Sequence, residues 1–88
     1  MKNEIENNNE FQEFLQLKSF RDYWINYLTK DYSDNDKIVA CDVILNRQER
    51  MKKCLENIQS HPGYKQKEIE ELHRLDTLIR VIKKKFAE

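Results

Sequence analysis

One glycine and one proline in 88 residues leave this chain without the turn chemistry of an all-β fold, whose hairpins need residues that accept positive φ. No apolar run approaches the ~18 residues of a membrane span. The polar, acidic stretch from Met1 to Glu10 is the opposite of a signal peptide, so the expected location is the cytoplasm of a bacterial cell or infected host. Cys41 and Cys54 are the only cysteines; on one helix they would stand about 20 Å apart, beyond disulfide reach. Free thiols in a reducing compartment follow. Alanine is nearly absent while Lys, Ile and Asn abound, a bias of A/T-rich coding DNA that points to a low-GC bacterium, its phages or mobile elements.

What is present suits a small helical domain. Hydrophobic residues make up 39% and charged residues 36%, enough apolar content to fold but only around a thin core. A domain of this size buries about 60–65% of the surface its unfolded chain exposes, and self-association is a ready source of further burial. The net charge is zero but unevenly spread: four basic residues face eight acidic ones up to Asp36, and the remainder carries the compensating positive excess. Such segments can pair internally or between copies.

Periodicity organises the chain into a disordered tail over residues 1–9 and one domain over residues 10–88. Phe11, Phe14, Leu17, Phe20, Trp24 and Tyr27 recur at three-four steps and predict a first helix over residues 10–31, with Tyr23 and Ile25 off the stripe. The polar run Asp31 to Asp36 is a loop ending in an N-cap at Ser33 or Asp34. A second helix over residues 34–60 carries Ile38, Cys41, Leu45, Gln48, Lys52 and Leu55, tilted toward Ile44, Met51 and Ile58. His61-Pro62-Gly63 marks a tight turn with a left-handed glycine. Ile69, Leu72, Leu75, Ile79, Ile82 and Phe86 then predict a third helix over residues 64–87, widened by Leu78 and Val81 and closed by lysines that suit its carbonyl end. The fold expected is an all-α three-helix bundle built on a long antiparallel hairpin.

No stretch carries an enzymatic, metal or cofactor signature. Glu70 and His73 form one E-x-x-H pair, whereas di-metal carboxylate sites in helical bundles need two such pairs and further glutamates. Cys41, Cys54, His61 and His73 match no zinc framework; a buried Cys41 and a more exposed Cys54 are expected instead. Arg74, Arg80, Lys83, Lys84 and Lys85 are candidate phosphate contacts, yet the neutral chain lacks both the basic excess and the docking motif of a nucleic-acid binder. Tyr23, Trp24, Tyr27 and Tyr32 form the densest aromatic group and the leading candidate for binding a protein partner. Ile79, Ile82 and Phe86 are the candidate seam for homo-oligomer association.

The hairpin with Leu72 to Ile79 on its last helix loosely resembles the small helical aspartyl-phosphate phosphatases of sporulation control. Leu75-Asp76 matches the end of their Ser-Gln-Glu-Leu-Asp motif, and the serine and glutamine are absent. That resemblance implies a helical regulator acting through Asp76. The residues themselves favour a non-enzymatic helical interaction module, an accessory factor of phage or mobile-element type that self-associates and binds a host protein.

Overall fold

The computed structural model describes residues 4–61 and 63–88; expectations for residues 1–3 and for Pro62 fall outside them. A short 3-10 helix, Glu4–Asn7, leads into α1 (Asn9–Tyr27), α2 (Asp34–Asn57) and α3 (Gln66–Ala87). The chain is an all-α three-helix bundle in which α1 packs on α2 and α2 on α3, within an elongated envelope of 50 × 18 × 16 Å. No helix among the described residues is long and apolar enough to cross a membrane.

The helix boundaries follow from local chemistry. Asn8 caps α1, its side-chain oxygen accepting from the Phe11 N–H at 3.1 Å. Ser33 caps α2 in the same way, accepting from Asp36 N–H at 3.2 Å, which decides between the two candidate caps. α1 stops at Tyr27, short of residue 31, because Leu28, Thr29 and Lys30 donate to Ile25, Asn26 and Tyr27 respectively. These three-residue steps tighten the last turn and end the α-helical ladder. The α2–α3 connection is likewise built from three-residue steps, with His61 donating to Ile58 and Tyr64 to His61. Gly63 therefore needs no left-handed backbone and has no positive φ; its N–H meets His61 Nδ1 at 3.4 Å.

The ordered structure begins before residue 10. Ile5, within the segment expected as a tail, is buried with Phe14, Leu17, Met51, Leu55, Ile58 and Leu72 and closes one end of the core. At the other end Cys41, Ile44 and Ile79 are buried, with Trp24, Ile25, Leu28, Leu75, Ile82 and Phe86 packed around them. Burial on α2 follows Ile44, Met51 and Ile58, as the tilt of its stripe implies, because α2 is covered from both sides.

Between the two apolar clusters lies a polar layer with one residue from each helix: Arg21, Gln48 and Asp76, all buried. Arg21 Nη1 donates to Gln48 Oε1 at 2.9 Å, and Gln48 Nε2 donates to Leu72 O at 2.8 Å and to Asp76 Oδ1 at 3.1 Å. Lys52 Nζ bonds the other Asp76 oxygen, Oδ2, and reaches Glu49 Oε2 at 3.0 Å. Arg21 also binds Asp22 Oδ1 through Nε and Nη2, at 3.0 and 2.7 Å.

This layer explains a shift of register on α1. Phe20, which the three-four spacing places inward, is 57% exposed, and Arg21 is buried in its stead. Gln48 satisfies the Arg21 guanidinium inside, while Phe20 lies beneath the Arg47 guanidinium at 5.9 Å. Beyond this point the inward stripe runs through Ile25 and Leu28, so Ile25 belongs to the core.

Losing a buried partner leaves the other polar groups unpaired. Gln48→Ala is expected to lower unfolding free energy by about 2–4 kcal/mol, read from urea denaturation, and Gln48→Met by a similar amount despite its matched length. A loss below about 0.5 kcal/mol, typical of a surface substitution, would show that the layer carries no stability.

Candidate interaction surfaces

The four aromatic residues singled out from the sequence form one ladder at the C-terminal end of α1. Tyr23 meets Trp24 edge to face at 5.4 Å between ring centroids, Trp24 meets Tyr27 at 5.1 Å, and Tyr27 stacks on Tyr32 at 4.1 Å. Trp24 roots the ladder, since it packs on the Cys41, Ile44 and Ile79 cluster. Tyr23 is 63% exposed and Tyr32 is exposed at the other end. The α1–α2 loop makes this possible: Tyr32 N–H donates to Lys30 O at 3.0 Å, and the tight turn brings the Tyr32 ring back over Tyr27. Helical spacing alone could not reveal that stacking.

Acidic residues adjoin the ladder along the chain, Asp22 preceding Tyr23 and Asp31 preceding Tyr32. Asp22, Asp31, Asp34 and Asp36 are exposed; Asp22 pairs with Arg21, while Asp31, Asp34 and Asp36 have no ion-pair partner among the described residues. Partial desolvation, then the Asp36 carboxylate and the neighbouring Tyr32 and Tyr23, hold the Tyr27 pKa above its ordinary value. Tyr27 is therefore a neutral phenol at physiological pH.

The basic set of α3 does not converge on one face. Lys83 is drawn to Asp42 at 2.6 Å, and Lys85 lines an apolar groove. Arg74, Arg80 and Lys84 are exposed, but six residues put Arg80 about 120° around the helix from Arg74. The antiparallel topology also folds the charge asymmetry back on itself. The acidic start of α2 and the lysine-rich end of α3 share one end of the molecule, where Asp42 pairs with Lys83 and Lys37 sits over the Phe86 ring at 5.3 Å. At the other end Glu13 and Arg50 approach to 3.6 Å.

The seam residues divide. Ile79 is buried inside the monomer, whereas Ile82 and Phe86 are half-buried. They line an open groove of ≈ 400 Å³ with Ile25 of α1, Leu28 at its C-cap, and Leu75 and Leu78 of α3. Ile25 and Leu28 fall on the same side of the α1 axis as the buried Arg21.

Asp76, the residue implicated by the phosphatase resemblance, faces inward and both its carboxylate oxygens are engaged, by Gln48 and Lys52. Glu70 and His73 are exposed, and no group of three or more His, Cys, Asp or Glu side chains converges among the described residues. Cys54 is buried along with Cys41, against the expectation of a more exposed position, because α2 turns it toward Ile5, Phe14 and Leu17. Burial, reinforced by Glu13 and Glu10, pushes the Cys54 thiol up to about 11. Burial and Asp42 also raise Cys41. Neither presents the thiolate that nucleophilic chemistry requires at neutral pH.

Comparison of the chain with protein-family models, curated proteins and solved structures finds no match.

Burial lowers the Lys52 pKa, but hydrogen bonds from its ammonium to Asp76 and Glu49 outweigh that and leave it raised. Burial, with Glu68 and Glu70, raises Tyr64. Raised folded-state values mean that the folded chain keeps protons the unfolded chain has released. Stability therefore falls as pH rises through these groups, beginning near the ordinary thiol value of 9.0 and continuing past about 11. The urea midpoint should drop between about pH 9 and pH 11, and Cys54→Ala should flatten the drop. A midpoint that holds or rises over this range would contradict these assignments.

Proposed function

We propose that the chain is a non-enzymatic protein-interaction module that binds a basic segment of a partner protein through the Tyr23–Trp24–Tyr27–Tyr32 ladder. The observation that carries this reading is the joining of four rings into one core-rooted surface, with the Asp36 carboxylate close enough to act on Tyr27. Aromatic faces and carboxylates together suit arginine. A guanidinium over a tyrosine or tryptophan ring contributes about 0.5–2 kcal/mol, and nearby carboxylates add charge-assisted hydrogen bonds.

A rigid ladder also limits the entropy lost on binding, because stacked rings and the Trp24 anchor are ordered beforehand. The A/T-biased composition is in keeping with an accessory factor of a phage or mobile element acting on a host protein. The Asp36 carboxylate beside Tyr27 disfavours nucleic acid here, since phosphates approaching the rings would meet it.

Trp24 is the only tryptophan in the chain and sits inside the ladder, so its fluorescence reports directly on occupancy. Titration with an arginine-rich peptide should give a saturable change, absent with a glutamate-rich peptide of equal length. Tyr23→Ala or Tyr32→Ala should weaken binding about tenfold, the order expected for an interface anchor worth more than 1 kcal/mol. Equal responses to both peptides, or none to either, would overturn the assignment.

A further inference from the structure

The apolar groove between the C-terminal halves of α1 and α3 is a surface separate from the ladder. Ile25 and Tyr27 are two residues apart on α1, so they point about 160° from one another. On the α3 rim of the groove Leu78 stands 53% exposed, and Val81 beside it 51%. A ridge and a groove on the same face make that face complementary to itself, the requirement of a two-fold contact.

The charges along this face choose the occupant. Glu71, Leu75, Leu78, Ile82 and Lys85 follow one another at steps of four and three, forming a second seam on α3 beside the Leu72, Asp76 and Ile79 face turned to α2. The seam ends in opposite charges: Glu71 lies seven residues before Leu78 and Lys85 seven residues after it, about 10 Å of helix each way. Neither has an ion-pair partner among the described residues.

We infer that this face associates with a second copy of the chain, the two α3 helices crossing antiparallel at Leu78. In that arrangement each Leu78 enters the partner's groove, and Glu71 of each copy lies opposite Lys85 of the partner subunit. A parallel pair would set glutamate on glutamate and lysine on lysine. A shallow crossing of about 20° keeps both ends in reach, the ordinary geometry of helices packed in bundles. The contact covers Leu78, Val81, Ile82 and the groove wall of α1.

Disulfide trapping and sedimentation equilibrium test the arrangement on the full chain. Both native cysteines are buried, so the unsubstituted chain supplies the blank. Leu78→Cys should form a linked dimer under mild oxidation. Glu71→Cys and Lys85→Cys should each remain unlinked alone and link when mixed. In sedimentation, Glu71→Lys should weaken dimerisation about tenfold, and the double variant Glu71→Lys/Lys85→Glu should recover most of the loss. Circular dichroism of each variant verifies that these exposed sites leave the helices intact. A mass of 10.8 kDa at every concentration would overturn the inference, as would Glu71→Cys linking to itself. Neither result bears on the peptide titration of the ladder.

Discussion

The Gln48 side chain accepts from Arg21 on α1 and donates to Asp76 and the Leu72 carbonyl on α3, so one residue of the central helix ties both flanking helices to a single level. The backbones of α1 and α3 do not pack on each other, and α2 is their common support. Apolar side chains above and below this level are interchangeable in kind, and hydrophobic packing tolerates small slips of one helix along another. A buried amide between a guanidinium and a carboxylate tolerates little, because each group left unpaired costs about 1–3 kcal/mol. The polar layer therefore acts as a registry device at some cost in apolar burial, a role well attested for single polar positions in helical assemblies.

Both proposed surfaces depend on that registry. Turning Arg21 inward expels Phe20 and brings Ile25 and Leu28 onto the side of α1 that faces α3. Without this rotation the apolar groove would lack its second wall. The same rotation leaves Tyr23 outside while Trp24 reaches the Cys41, Ile44 and Ile79 cluster, so the aromatic ladder gains both an anchor and an exposed end. A core this thin leaves apolar surface uncovered, and the fold concentrates that surface at the end where α1 and α3 finish.

Much of the architecture was legible in residue spacing. Three-four recurrence located all three helices, Ser33 announced the start of α2, and His61 to Gly63 marked the second connection. The lysines closing α3 and the tilted stripe of α2 also read correctly. The face of α1 did not, because periodicity counts hydrophobic residues and gives an arginine no reason to point inward. That reason lies on Gln48, 27 residues away. Ile5 was hidden for a related cause: one apolar side chain among asparagines has no period, and only the open end of the core gives it a place. The aromatic residues were recognisable as a group, but the stacking of Tyr32 on Tyr27 depends on a turn whose geometry spacing does not encode. For the groove, Ile82 and Phe86 were within reach of the sequence, while Ile25 again required the rotation at Arg21.

The most direct test of this account is hydrogen exchange at the Gln48 side-chain amide, followed by NMR in the intact protein. Both Nε2 protons are committed to buried acceptors, so they should exchange orders of magnitude more slowly than those of the exposed Gln59 and only through opening of the bundle. Exchange as fast as at Gln59 would mean that no such tie joins the three helices.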